Sequence, residues 1–217
     1  MISDGRFING QIYSLNEISD ELQMSRTPIR DAVLRLSNEG CIDLLPSRGF
    51  RLHAISTSEL RSRFHFSNAI EGYSVYCMAK EVRDTGVLSS SVLQLQSLVQ
   101  QMKNLDFDSV SFGAFTRLDN AFHQVIVDSV KSASFNELFK NHRVGFINSP
   151  ELHLTVSPLP YADIYRDHEQ ILNAILAGDP FLAYTTLLAH SDAIYDNYIA
   201  TSGLDFSYSD ASAQVGD

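Results

Sequence analysis

Apolar residues near the start of the chain recur at helical spacing in two short runs. Leu15, Ile18 and Leu22 form one stripe in SLNEISDEL, and Ser14 with Glu17 three residues later is a capping-box signature. Ile29, Ala32, Val33 and Leu36 stand at i, i+3, i+4 and i+7 and predict the inward face of a second helix. Ser25 is placed to cap that helix, Pro28 is tolerable only in its first turn, and Gly40 marks its end. So few residues part the two runs that they have helix-turn-helix spacing. After Gly40 the pattern changes. CIDLL and GFRLHAI read as two short strands, with Pro46-Ser47-Arg48-Gly49 as the turn between them. Helix, helix and hairpin together predict a winged helix-turn-helix over residues 1–55, followed by a short connection at 54–58.

From Thr57 onward helical periods dominate. They predict helices near 57–84, 88–104, 108–130, 133–148, 161–177 and 180–200. The last boundary is the clearest: Gly178 stops one helix, Asp179 caps the next and Pro180 takes its first position. The fold class is therefore mainly α, an N-terminal winged helix-turn-helix plus an all-helical antiparallel bundle over 56–200. Residues 201–217 hold four Ser, three Asp and two Gly without an apolar period and read as a disordered tail.

Charge sharpens this division. The chain of 217 residues carries a net charge of −10, which taken whole argues against nucleic acid. Residues 1–55, however, hold six Arg, no Lys and seven acids, and the remaining nineteen acids face ten basic residues beyond. A near-neutral, arginine-only module on an acidic body fits a DNA reader on an effector domain. No apolar run approaches a membrane span, and no secretory leader pattern opens the chain. Cys41 and Cys77 sit inside apolar patterns and read as buried hydrophobes in a reducing, cytoplasmic setting; no CxxC pair exists for a thiolate zinc ribbon.

On the second helix, Arg26, Thr27 and Arg30 lie opposite the core stripe. Arg26 and Arg30 are four apart and project together from the first turns, the part of a recognition helix that reaches base edges. Arg can donate two hydrogen bonds to guanine, while Ser25 and Thr27 suit phosphate. Arg48 at the hairpin tip, beside the permissive Gly49, can reach the backbone or minor groove. The stretch SLNEISDELQMSRTPIRDAVLRLSNEG followed by LLPSRGFRL resembles the GntR family of bacterial transcription regulators. The resemblance implies operator contacts by Arg26, Thr27, Arg30, Arg48 and Gly49. Asn16 stands where some relatives carry another DNA-contacting Arg. The resemblance also implies a helix ahead of ISDGRFINGQ, almost none of which is present: either the start is trimmed or the first helix is missing, and its absence would expose core residues such as Ile18 and weaken the module.

The histidines form the second informative set. Asp119 and His123 stand at i, i+4 and share a stripe with Phe115, Phe122 and Ile126. His168 lies among Ile164, Ile171, Leu172 and Ile175, and His190 among Ala183, Leu187 and Ile194. Four polar groups thus point from three helices towards an apolar interior. One such His would be a satisfied core imidazole, but four buried without partners would cost several kcal/mol. A shared divalent ion such as Zn²⁺, Ni²⁺ or Mn²⁺ would satisfy them together. His53, His65, His142 and His153 lack this setting and read as solvated or structural.

These residues resemble the FCD ligand-binding domain of the FadR branch of the GntR family. That resemblance implies metal coordination by Asp119, His123, His168 and His190, a small carboxylate effector completing the coordination, and dimerisation through the helical domain. Relatives commonly carry Arg-x2-Leu-Glu early in the first long helix, where the Arg pairs with the effector. Here the stretch is Asn68-Ala-Ile-Glu71, so a neutral amide replaces the cation, and Arg143 or Arg117 is left to supply charge. The expectation is a homodimeric, non-enzymatic transcription regulator that binds a palindromic double-stranded DNA operator and answers to a small organic acid. Two other readings stay open: a metal-dependent hydrolase, against which stands the lack of a general base beside the site (Glu169 projects about 100° from His168), and a purely structural metal.

Overall fold

The computed structural model describes residues 7, 11–38, 41–53, 57–147 and 161–201, with side chains described except at 57, 112, 141–147, 198 and 201. The expected disordered tail beyond Thr201, Gly40 and His153 lie outside the described residues, as do the side chains of His142 and Arg143. Eight helices and one two-stranded sheet are found among those described.

Helix α1 spans Leu15–Leu22 and starts as its capping box dictates. The Glu17 amide donates to Ser14 Oγ and the Ser14 amide to Glu17 Oε2, each at 3.1 Å. Gln23, in the left-handed region at φ 52°, closes it. Helix α2, Arg26–Asn38, buries Ile29 and Val33. Ala32 was expected inside with them and is exposed. The α2 core contact is made by the narrower Ile29–Val33–Leu36 row, and Ala32 falls on its flank. Strands β1, Ile42–Leu45, and β2, Gly49–Leu52, pair antiparallel with Ile42 opposite Leu52 and Leu45 opposite Gly49. The Arg48 amide donates to Leu45 O at 3.0 Å, and Ser47 takes φ 62° in the turn.

A third chain segment seals this sheet. Tyr13 and Phe50 exchange backbone hydrogen bonds of 2.8 and 2.9 Å. Gly49, at φ +119°, permits the approach: a Cβ there would lie 2.0 Å from Tyr13 O. Phe7 packs edge-on to Tyr13 and Phe50 at 4.5 and 5.8 Å and shares a core with Ile18, Ile29, Val33, Cys41, Ile42 and Leu52. Ile18, which a missing first helix would have exposed, is consequently buried, with 5% exposure. Phe7 and Tyr13, which the helical pattern did not reveal, extend the core beside it.

Helices α3 (Thr57–Thr85), α4 (Ser90–Lys103), α5 (Phe112–Asp128), α6 (Ala133–Ile147), α7 (Tyr161–Leu176) and α8 (Pro180–Thr201) build a second core. Helix α3 is its spine and packs on α5, α6, α7 and α8. Val75, Met78, Val92, Leu95, Phe122, Ile126, Ile171, Ile175 and Leu187 fill the interior. Each such side chain contributes about 1.5–3 kcal/mol by leaving water. α5 begins four residues later than its apolar period suggests. Asp106 accepts from the Asp108 amide and the Ser109 hydroxyl, holding a turn, and Ser111 then caps the helix through the Ala114 amide. The α7–α8 corner is as expected. Gly178 has φ +64°, and Asp179 Oδ1 accepts from the Phe181 and Leu182 amides.

One network joins the two cores. His53 Nδ1 is 2.7 Å from Asp43 Oδ1 on β1, and its Nε2 is 3.3 Å from Glu59 Oε2 on α3. Arg51 pairs with Asp43 and Arg63 with Glu59. Burial opposes the imidazolium, yet the hydrogen bonds to Asp43 and Glu59 outweigh it and raise the His53 pKa. The His53 hydrogen bond leads the lowering of Asp43, against a smaller opposing effect of burial. Burial pushes Glu59 up, but Arg63 and His53 together bring it below its ordinary value.

Candidate functional site

The first candidate surface is polar and open. Ser25, just ahead of α2, and Arg26, Thr27 and Arg30 on its first turns are all exposed, away from the buried Ile29 and Val33. Arg48 is exposed at the tip of the β1–β2 turn. Asn16 is also exposed, on α1. Gly49 differs from these: it is half-buried, and its demand for glycine comes from the Tyr13 backbone. Arg117 is an exposed residue of α5.

The second candidate site is buried. α5 brings His123, α7 brings His168 and α8 brings His190 to one place, each no more than 7% exposed. One ligand-type atom from each lies within 4.8 Å of the others. The rings are 5.2, 5.5 and 4.8 Å apart in the pairs 123–168, 123–190 and 168–190. Phe122 stacks on His168 at 4.1 Å and helps fix that ring. Asp119, one turn before His123, extends the cluster. Its Oδ1 is 3.7 Å from His123 Nε2 and 3.6 Å from His168 Nε2.

The outer ring nitrogens are engaged as well. His123 Nδ1 is in a short hydrogen bond with the buried carboxylate of Glu71 on α3. His190 Nδ1 is 3.1 Å from Asp167 Oδ2, and His168 Nδ1 is 3.3 Å from Met102 Sδ. Sequence reasoning assigned no role to Glu71 or Asp167. A signal existed for Glu71, an acid in the apolar row of Val75 and Met78; for Asp167, exposed enough to pass as a surface acid, there was none.

With Nδ1 engaged on every ring, Nε2 is the nitrogen presented to a ligand. Two donors about 2.0–2.1 Å from a tetrahedral cation stand about 3.3–3.4 Å apart. The Asp119–His123 and Asp119–His168 separations are a few tenths of an ångström longer, and the three histidine nitrogens lie within 4.8 Å of one another, so the donor set has the chemistry for a borderline divalent ion but its histidines would have to draw closer to hold one. Asn68 stands one turn before Glu71 on α3, and its Oδ1 is buried without a hydrogen-bond partner among the described residues. Glu169 accepts from the Tyr165 hydroxyl at 2.8 Å. His65 is exposed, and His53 is the structural bridge already described. Among the described residues no helix is long and apolar enough to cross a membrane.

A family model described as bacterial regulatory proteins, gntR family, matches residues 1–52, and the FCD domain model matches residues 69–193. An uncharacterized HTH-type transcriptional regulator in an unstable DNA locus of Streptomyces ambofaciens is 27% identical over 196 residues, covering 87% of this chain and 76% of that protein. The HTH-type transcriptional repressor RspR of Escherichia coli is 27% identical over 117 residues, covering 54% of this chain and 49% of the repressor. The solved structure of E. coli McbR/YncC is similar with a TM-score of 0.68 at 18% identity, covering 93% of this chain and 91% of that one, a likeness of fold.

Proposed function

From the premise that this chain belongs to the GntR family of bacterial transcription regulators and carries an FCD effector-binding domain, we propose that it is a homodimeric, metal-dependent sensor of a small organic acid. On this reading residues 1–55 read a palindromic operator and residues 56–200 sense the effector. Asp119, His123, His168 and His190 would hold one divalent cation, Zn²⁺, Ni²⁺ or Mn²⁺. The observation that carries the reading is the convergence of three buried imidazoles from three helices, each with its Nδ1 held from behind. When bound, the cation would supply positive charge and an open coordination position for a carboxylate. Asn68 would meet the other end of the effector through a neutral amide, with Arg143 as a further source of charge. Ser25, Arg26, Thr27, Arg30 and Arg48 would contact the operator, and Gly49 would let the wing fold close enough for Arg48 to reach it.

Effector affinity for one arrangement of the dimer over another would then set DNA affinity by the same free energy. Metal analysis of purified protein tests the reading first: about one equivalent per chain is expected, and a His123→Ala/His190→Ala double variant with full metal occupancy would sink it. A thermal-shift panel of small carboxylates tests the effector. Because an amide pairs with a carboxylate more weakly than a guanidinium does, Asn68→Arg should tighten dicarboxylate binding. No gain across the panel, with metal content unchanged, removes Asn68 from the effector site.

A further inference from the structure

Two of the three clustered histidines have a carboxylate behind them, and the two carboxylates come from different helices. Glu71 is a residue of α3 whose side chain is 7% exposed; Asp167 is a residue of α7 whose side chain is 31% exposed. A carboxylate as buried as Glu71 is costly unless a charge or hydrogen bond compensates it. One partner is His123 Nδ1, and that contact has chemical content. A neutral imidazole carries one ring proton. If Glu71 holds it at Nδ1, the Nε2 lone pair must face Asp119 and His168, into the cluster. Asp167 imposes the same tautomer on His190. Met102 Sδ, opposite His168 Nδ1, is a weak neutral acceptor and not a carboxylate.

We propose that Glu71 and Asp167 are positioning residues for the cation site: each retains the Nδ1 proton of one histidine, aims its Nε2 inward and raises its strength as a donor. This rests on the metal reading above and adds to it a ranking. A carboxylate on the far nitrogen makes an imidazole more basic, and loss of such a partner typically costs 10–100-fold in metal affinity. Glu71 lies in the less screened environment and has the larger effect. Asp167, which faces solvent along the groove between α7 and α8, has the smaller one.

The test is titration of metal-free full-length protein with Co²⁺, which reports both affinity and ligand field through its visible absorption. Glu71→Gln keeps an acceptor oxygen but no charge, Glu71→Leu removes both, and Asp167→Asn is the milder counterpart on the other ring. Expected are unchanged stoichiometry, affinity lowered about 10–100-fold in Glu71→Gln and further in Glu71→Leu, and a loss of up to about 10-fold in Asp167→Asn. The saturated Co²⁺ spectrum should shift in the Glu71 variants, which a role in packing alone would not produce. Affinities within twofold of wild type in both Glu71→Gln and Asp167→Asn overturn the proposal. If the Glu71 variants do not fold, the Asp167→Asn result decides it alone. Wild-type protein that takes up no Co²⁺, or His123→Ala protein that takes it up as wild type does, overturns the metal reading and the proposal with it.

Discussion

The two candidate sites are built in opposite ways. The set proposed for the operator is a run of neighbours on one short helix and one turn, exposed to solvent except for the half-buried Gly49. Its side chains carry almost no share of the fold around them. The buried set draws one or two residues from each of three helices, and its supports come from two more, Glu71 on α3 and Met102 on α4, and from Asp167 on α7 itself. There the same side chains serve the site and the core, because Phe122, Met102 and Glu71 touch the histidines directly. The contrast predicts that function and stability separate cleanly in the first site and fall together in the second.

The strongest challenge to that contrast is metal removal. A cation bound at 100 to 1,000 times its Kd stabilises the folded chain by about 3–4 kcal/mol. Chelation should lower the melting temperature of wild type accordingly and leave His123→Ala/His190→Ala unmoved. An equal chelator effect on both proteins would break the link between site and core. Gly49→Ala comes next. Its added Cβ would meet the Tyr13 carbonyl at 2.0 Å in a positive-φ position, so the N-terminal core should lose about 2–3 kcal/mol. Metal binding should be unchanged, which denaturation followed with and without Co²⁺ would show.

Arg26→Ala and Arg30→Ala should each cost about 1–3 kcal/mol on the operator while leaving thermal stability within about 0.5 kcal/mol. Arg48→Ala should weaken all sequences alike and reduce the salt slope by about one. Equal losses on operator and random DNA for Arg26→Ala would move that residue from base reading to phosphate contact.

The smallest expected effect is at the junction. The contribution of His53 is full below its ordinary value of 6.5 and is lost as pH rises through its raised folded value. Those of Asp43 and Glu59 are present above 3.8 and 4.5 and are lost as pH falls through their lowered folded values. The network is therefore strongest between pH 4.5 and 6.5. His53→Gln should destabilise by less than about 1 kcal/mol at pH 5.5, since the side chains stay solvent-screened, and by almost nothing at pH 8.5. A difference that grows with pH would reverse the assignment.

The sequence was most legible where structure is local. The Ser14–Glu17 box, the Gly178–Asp179–Pro180 corner and the β1–β2 hairpin each depend on a few adjacent residues. The histidines were legible because polar residues in apolar rows are anomalies that one pattern exposes. Contacts between distant segments were not. Nothing near Ile18 announces Phe7, and nothing near His123 announces Glu71, which lies 52 residues away. Ala32 failed for a related reason: a helical period gives the direction of a buried face but not its width, which the partner sets. The late start of α5 reflects the Asp106 turn, where side-chain hydrogen bonds displaced a helix the apolar period alone would have begun earlier.

Helix α3 holds Glu59 in the wing junction and Glu71 in the buried site, on one continuous 29-residue element. At 1.5 Å per residue it is about 43 Å long, and Glu71 sits close to its middle. It therefore has the geometry of a lever with its fulcrum at the histidine cluster. A tilt of only about 5° around Glu71 would carry the first turn of α3, and the wing tied to it through His53, by about 2 Å. That is comparable with the helix shifts that repack switching interfaces.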